Sequence, residues 1–274
     1  MAGPYFASSM DHSTPKLTFV VAVNDHHTLC SNLLASPALQ SPHDHQILVQ
    51  EGFASASLAY NDALARSVNE IVVFVHQDVF LPDPWLERLH ASLRTLCRDD
   101  PDWGVLGCWG LRQDGRGYGY LFTSDEGVIG KPLGAPRVVQ TLDEVVLVVR
   151  RRSGLRFSED LPQFHLYGTD ICMRAISGGL KCYAIEAFCI HNSRKYNSLP
   201  REFYQCYWNV KKRWREFLPI QTSCIRMTRF DSHYYARRMR DLCRGTVSGF
   251  GRVRATREED PREVWKQLKE RQLI

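Results

Sequence analysis

The sequence has no long apolar run. Its most apolar stretches, at 17–23 and 71–75, are only as long as β-strands and fall short of the roughly 18 residues that a membrane-spanning helix needs. The first 16 residues also lack the basic segment followed by an apolar segment that marks a secretory signal. We therefore expect a cytoplasmic protein.

The sequence has no Cys-x-x-Cys pair either. Its nine cysteines are an odd number, and most lie within apolar runs, as Cys108 and Cys172 do. Free cysteines behave as small buried apolar residues, and zinc–thiolate sites need closely spaced pairs. The pattern argues against a disulfide framework and a zinc–thiolate site, and it predicts reduced thiols in a reducing compartment.

The composition is that of a globular chain, with 44% hydrophobic and 24% charged residues among 274, which excludes a low-complexity or disordered chain. The net charge of +5 is unevenly spread, because residues 201–274 carry +9 and the first 200 residues carry −4. We predict a flexible N-terminus at 1–15, an α/β domain at 16–218, and a basic, mainly helical extension at 219–274. The extension either meets an anionic partner or is a solvated helical appendage.

The first hundred residues alternate between strand and helix patterns. Strand patterns cover 16–23, 46–50 and 70–75, and helix patterns cover 55–67 and 82–96. This alternation is typical of βαβ units, so we expect an α/β fold with a mostly parallel sheet flanked by helices.

Polar side chains follow each of these strand patterns. Asn24 and Asp25 follow the first, Glu51 follows the second, and the run from His76 to Asp78 follows the third. In open parallel sheets, ligands bind beyond the carboxyl ends of the strands. The sequence therefore predicts one crevice for a polar ligand at this edge.

A carboxylate two residues after an imidazole has the chemistry of a metal site. Asp78 and His76 could hold a divalent cation that bridges phosphates, the imidazole shifting the preference from Mg²⁺ toward Mn²⁺. The alternative is structural: Asp78 caps the strand-to-helix loop, and His76 is a hydrogen-bonded core residue.

The second half of the chain is less regular. A long strand pattern at 138–150 is interrupted by Asp143 and Glu144, which should face a cavity or a partner because unpaired burial of acids is costly. Helix patterns follow at 168–177, 201–217 and 263–273.

The run EIVVFVHQDVFLPDPWLERL, after SASLAYNDALARS, resembles family 2 (GT-A fold) glycosyltransferases. More narrowly, it resembles the glycosyltransferase-like domain associated with streptomycin biosynthesis, in which an H-Q-D-V run follows the third strand. The resemblance covers residues 16–215. His76 and Asp78 stand where the broader family has the first and last acids of its metal-binding Asp-x-Asp element.

On the donor side, the resemblance implies a nucleotide-diphospho-sugar and a divalent metal, Mn²⁺ or Mg²⁺. Asn24 and Asp25 match the pair that contacts the donor nucleoside, and Glu51 matches an acid near that nucleoside. Asn61 matches an asparagine in the following helix, for which the alternative role is a hydrogen bond between helix and loop.

On the acceptor side, residues 157–193 resemble an acidic motif that opens a helix, followed by a glycine, a strand and a histidine. The resemblance implies Asp170 as catalytic base and His191 as third metal contact. The sequence departs from the family here, because Gly168 stands at the usual base position, and His165 becomes a rival base. Asp143 is a further catalytic candidate, and Glu144 a weaker one.

These observations predict a metal-dependent enzyme that transfers a sugar, with inversion, to an unknown sugar, lipid-linked or small-molecule acceptor. Two other classes stay open: a non-catalytic nucleotide-sugar-binding module, and a metal-dependent hydrolase built on the same histidines and acids. Basic and aromatic residues at 234–240 would suit peripheral contact with an anionic membrane. We expect no nucleic-acid partner, since no nucleic-acid-binding module is recognisable.

Overall fold

The computed structural model describes residues 15–40, 44–193, 198–248 and 260–274. In this part of the chain the strands are β1 (Leu17–Ala22), β2 (Gln46–Gln50), β3 (Ile71–Val75), β4 (Val79–Phe80), β5 (Val105–Gly107), β6 (Trp109–Leu111), β7 (Gly117–Thr123), β8 (Gly127–Gly130), β9 (Arg137–Val139), β10 (Thr141–Leu142), β11 (Val146–Arg150), β12 (Cys182–Ala184), β13 (Cys189–His191), β14 (Ile220–Gln221) and β15 (Arg226–Met227). The α-helices are α1 (His26–Ser31), α2 (Ala56–Arg66), α3 (Pro84–Asp99), α4 (Tyr167–Ser177), α5 (Arg201–Arg213), α6 (Ser232–Ser248) and α7 (Pro261–Glu270). Three short 3-10 helices lie at Pro37–Leu39, Arg151–Ser153 and Arg215–Phe217.

The main sheet has seven strands in the order β2-β1-β3-β11-β5-β12-β9. The pairs β1–β2, β1–β3 and β5–β12 are parallel, whereas β11 is antiparallel to both β3 and β5. Five of the seven strands consequently run in one direction. The prediction of an α/β fold with a mostly parallel sheet is confirmed, with β11 inserted in reverse at its centre.

Both faces of this sheet are buried at its inner strands, which explains why β1, β3, β11, β5 and β12 are apolar at nearly every position. Alternate residues of β3 enter different cores: Val72 and Phe74 join α2, α4 and α5 on one face, and Val73 and Val75 join α1 and α3 on the other. The sheet is thereby fixed between two helix layers.

A smaller sheet, in the order β10-β6-β7-β13-β4, stands beside that edge. Its strand β13 is antiparallel to β4, with His191 opposite Val79. Because Val79 directly follows Asp78, this pairing brings residues more than a hundred positions apart in the sequence to the same place.

The 138–150 segment differs from the single long strand that its pattern predicts. It forms β9, β10 and β11, with a break at residues 143–145, because β10 pairs with β6 in the smaller sheet whereas β11 pairs with β3 and β5. The predicted helix at 201–217 also ends earlier, at Arg213, and a 3-10 turn follows it. The break places Asp143 and Glu144 outside both sheets, at the carboxyl edge of the main sheet.

The C-terminal segment contains the β14–β15 hairpin and the helices α6 and α7. Helix α7 packs Val264 and Leu268 against the smaller sheet, and its Trp265 contacts Phe188 with 5.7 Å between ring centroids. No helix in the described residues is both long and apolar enough to span a bilayer. The predicted flexible N-terminus lies almost wholly outside the described residues.

Candidate active site

A cleft of ≈ 1970 Å³ opens at the carboxyl edge of the main sheet. Its walls are the loops after β1 and β3, the break between β10 and β11, the segment before α4, the end of β13, and α6. Most of the polar residues predicted from the sequence line this one space: Asn24, Asp25, His76, Asp78, Asp143, His165 and His191.

His76, Asp78 and His191 form a cluster in the wall of the cleft, with one ligand atom from each residue within 4.8 Å of the others. Nε2 of His191 lies 3.4 Å from Oδ1 of Asp78, and Nδ1 of His76 lies 3.9 Å from the same oxygen. Nε2 of His76 is engaged by the Tyr167 hydroxyl at 2.7 Å. A His76 ring that donates from Nε2 presents its Nδ1 lone pair to the cluster, the arrangement that metal-binding histidines adopt.

The electrostatics of the cluster suit a cation. Burial by itself raises the pKa of Asp78, but the interactions with His191 and His76 outweigh it and lower that pKa to about 2. Burial lowers the pKa of His76, which favours the neutral, ligating imidazole. Burial opposes protonation of His191 as well, yet Asp78 raises its pKa overall, so a bound metal would displace that proton.

Gln77 joins the loops after β1 and β3. Its Oε1 accepts hydrogen bonds from the backbone amides of Asn24 at 3.0 Å and Asp25 at 3.2 Å, and its Nε2 donates to Oδ1 of Asn24 at 2.6 Å. Asp25 also caps α1, since its Oδ1 accepts from the amides of His27 and Thr28. Gln77 thus holds Asn24 and Asp25, the predicted nucleoside contacts, beside the His76–Asp78–His191 cluster.

Two predicted donor-binding residues lie elsewhere. The Glu51 side chain is half-exposed and does not line the cleft. Its carboxylate pairs with Nε2 of His26 at 2.7 Å. Both amide atoms of Asn61 are bonded to the backbone of Phe157, at 2.9 Å each. Asn61 therefore ties α2 to the segment before α4, which is the alternative role considered for it, and neither residue lines the cleft.

Asp170 is also absent from the cleft lining. Its side chain is fully buried, and Oδ1 accepts from Nη1 of Arg213 at 2.9 Å and Nε1 of Trp214 at 2.8 Å. A base must reach the proton that it removes, and Asp170 is enclosed between α4 and the end of α5. In this structure Asp170 thus lies outside the cleft and joins α4 to the end of α5.

His165 does line the cleft, in a strained segment. The nearby residues on either side of it, Gln163 and Leu166, have φ values of 61° and 60°, which non-glycine residues rarely adopt. The His165 ring stacks edge-on against Phe203 of α5 at 5.8 Å.

Glu144 is the weaker acid candidate from the sequence but the most perturbed carboxyl of the cleft. Burial, with a smaller contribution from the neighbouring Asp143, raises its pKa to about 8, although amides at the start of α4 partly oppose the shift. Asp143 lines the same wall and accepts from the Val145 amide at 3.2 Å. The acid pair that interrupts an apolar pattern is the sequence signal for both residues, whereas nothing in the sequence indicates the bridging role of Gln77.

Residues 18–206 match the model of the glycosyltransferase-like family, and this match covers more than half of the chain. The chain belongs to the glycosyltransferase-like family. It is 30% identical over 167 residues to a Fuscovulum blasticum protein named ATP synthase subunits region ORF 6, covering 58% of this chain and 66% of that protein. The chain therefore spans slightly less than two thirds of this relative.

A solved structure shares the fold. GalNAc-T7, crystallised with UDP, GalNAc and Mn²⁺, superposes with a TM-score of 0.52 at 10% identity, over 74% of this chain and 48% of that one. The mannosyltransferase PcManGT of Pyrobaculum calidifontis, in complex with GDP-Man and Mn²⁺, gives a TM-score of 0.42 at 14% identity, over 73% and 61%. This glycosyltransferase-like protein has the GT-A-type α/β fold.

Proposed function

We propose that this glycosyltransferase-like protein transfers a sugar from a nucleotide-diphospho-sugar to an acceptor hydroxyl, with the help of a divalent cation. The observation that carries the proposal is the His76–Asp78–His191 cluster, which lies in the same cleft as the loop after β1. Family membership supports the class of reaction. The resemblance of the H-Q-D-V run to the streptomycin-associated domain supports the narrower class and an inverting reaction.

The residues present fit a divalent cation. Two imidazole nitrogens and one carboxylate oxygen form a mixed donor set that suits Mn²⁺ better than Mg²⁺, which prefers oxygen ligands alone. Asp143 and Asp125 add negative charge that acts on His191. A cation bound there would stabilise the charge that develops on the departing diphosphate.

The donor would lie along the wall formed by the loops after β1 and β2. Asn24 stands beside the cluster, and Gln50, Gly52 and Phe53 line the same wall. Asp25 contributes by holding the loop, because its carboxylate already accepts hydrogen bonds from α1. A nucleoside on this wall would place its diphosphate over the cation cluster.

The acceptor would enter from the side of α6, which contributes Arg238, Asp241 and Leu242 to the cleft. Outside the cleft, Tyr235 of α6 is 61% exposed and Phe230, just before it, is 83% exposed. Exposed aromatic residues among arginines suit the interface of an anionic membrane. We propose a cytoplasmic protein that meets a lipid-linked acceptor at this surface.

The test is a thermal-shift and turnover panel of UDP-, GDP- and dTDP-sugars, each with and without Mn²⁺. UDP with Mn²⁺ is the first pair to try, because a protein of similar fold was crystallised with them. We expect at least one nucleotide-sugar to stabilise the protein only when Mn²⁺ is present. We also expect the protein to release the nucleoside diphosphate from that nucleotide-sugar. Asp78→Asn should abolish both effects.

Asp83→Asn is the matched control, since it makes the same chemical change on an exposed side chain five residues further along. It should leave both effects intact. If no nucleotide gives a Mn²⁺-dependent shift, the proposal is wrong. Stabilisation without turnover would favour the binding module, and Asp78-dependent cleavage of simple phosphoesters would favour the hydrolase.

A further inference from the structure

Position 168, at the start of α4, carries no side chain, and the reason is steric. A Cβ added to Gly168 would lie 2.8 Å from Cγ of Glu144 and 3.1 Å from the carbonyl oxygen of Leu142. The first distance is shorter than real Cβ contacts. The Glu144 side chain therefore occupies the space that a side chain at 168 would need.

Glu144 is also bonded to the beginning of that helix. Its Oε1 accepts a hydrogen bond from the Gly168 amide at 3.1 Å, and the amides of Leu166 and Tyr167 face the same carboxylate. The main-chain oxygen of Glu144 accepts from the Tyr167 hydroxyl at 3.4 Å. An acid from the break between β10 and β11 thus stands at the beginning of α4.

Glu144 interacts with titratable groups from α2, α4, α5 and the β14–β15 hairpin. The titratable groups that interact with its carboxyl are Asp143, Tyr60, Tyr167, Cys206 and Cys224. Cys206 is a buried residue of α5, and Cys224, in the turn of the β14–β15 hairpin, lines the cleft. Asp143, by contrast, acts on His76 and His191.

We propose that Glu144, filling the space left by Gly168, is the general base of the transfer reaction. This inference rests on the proposed function. The Glu144 carboxylate takes the proton of the acceptor hydroxyl, and the acceptor oxygen forms a bond to the anomeric carbon of the donor. The bond from that carbon to the diphosphate oxygen breaks, its electron pair leaves with the nucleoside diphosphate, and Glu144 later releases the proton to solvent.

The properties of the carboxyl support this role. A base is most effective when its pKa lies near the working pH, and burial raises the pKa of Glu144 to about 8, well above the ordinary value of 4.5. The hydrogen bond from the Gly168 amide fixes one oxygen. Glu144 lines the cleft, in contrast to Asp170, which is fully buried and paired with Arg213.

Glu144→Gln separates a base from a helix cap, because glutamine still accepts the hydrogen bond from Gly168 but cannot take a proton. The probe is release of nucleoside diphosphate from the donor chosen by the thermal-shift panel, with water as acceptor. We expect kcat to fall by about 10²–10⁴-fold. KM for the donor should change by less than about threefold. The Mn²⁺-dependent thermal shift should change by less than about 2 °C.

Two further variants provide a control and a second test. Glu87→Gln, the same chemical change on an exposed position of α3, should leave kcat unchanged. Gly168→Ala keeps the acid but displaces it, and should lower kcat without abolishing donor binding, which maintains the test if Glu144→Gln does not fold. The wild-type rate should also rise with pH through a single ionisation that Glu144→Gln lacks.

Nucleotide release by Glu144→Gln within threefold of the wild type would overturn the assignment of Glu144 and leave the proposed function standing. An unchanged kcat in Gly168→Ala would overturn it equally. Absence of release from every donor by the wild-type protein would overturn the proposed function itself, and with it this inference.

Discussion

Removal of the Asp170 carboxylate distinguishes a structural acid from a catalytic one. Asp170 is fully buried and joins α4 to the end of α5 through Arg213 and Trp214. Breaking a buried ion pair by removing one partner costs about 3–5 kcal/mol, because the remaining charge is left uncompensated. Arg213 keeps a second partner, the exposed Asp160 at 2.5 Å, so we expect a value near the lower limit.

For Asp170→Ala we therefore expect a loss of about 3 kcal/mol in the free energy of unfolding, with about 1 kcal/mol more from the lost Trp214 hydrogen bond. In a chain of this length, each kcal/mol lowers Tm by about 2–4 °C, which gives a decrease of about 8–16 °C. Urea unfolding followed by circular dichroism measures the first value, and calorimetry the second. Asp160→Ala, at the exposed partner, should cost less than about 1 kcal/mol.

The rate of the folded variant completes the test. If Asp170 is structural, nucleotide release per folded molecule should stay within a few-fold of the wild type, measured well below the lowered Tm. A variant with wild-type stability and a rate reduced a hundredfold would refute the structural role and restore Asp170 as a base.

Three further predictions follow from the cleft and its surroundings. Glu144 keeps its proton in the folded state up to a pKa of about 8 but loses it near 4.5 when unfolded, so metal-free stability should fall as pH rises between these values. The slope of this decrease is at most about 1.4 kcal/mol per pH unit. Glu144→Gln should flatten the slope in urea titrations at pH 5–8. Parallel curves of stability against pH for the wild type and the variant would mean that another group sets the slope. Asn61→Ala leaves the buried backbone groups of Phe157 unpaired, so it should lower stability by about 1–3 kcal/mol, whereas an altered nucleotide thermal shift at saturating Mn²⁺ would argue for donor contact instead. Phe230→Ser with Tyr235→Ser should reduce cosedimentation with vesicles containing anionic lipid, and equal binding by the double variant would exclude this surface as the membrane contact.

The local sequence predicted those strands and helices whose apolar residues follow directly from the burial of that element. The apolar run of β3 indicated a strand buried on both faces, and Val72 to Val75 do alternate between two cores. The polar residues directly after it, His76 and Asp78, lie at the cleft because a side chain that follows a strand emerges at the sheet edge.

The local pattern was insufficient where strand pairing decides the structure. Residues 138–150 form one long strand pattern that Asp143 and Glu144 interrupt, yet β10 and β11 pair with strands of different sheets. The sheet that each strand joins depends on hydrogen-bonding partners far away in the sequence, which periodicity does not encode.

By itself, the sequence determined the fold class and the set of polar residues available at the carboxyl edge, because hydrophobic periodicity and strand ends are local properties. Only the tertiary structure decided which acids reach the cleft. Asp170 and Glu144 both lie near the opening of α4, but Arg213 and Trp214 enclose the first, and the missing side chain of Gly168 admits the second. Accessibility and steric exclusion arise from contacts between distant segments, and these contacts exist only in the folded chain.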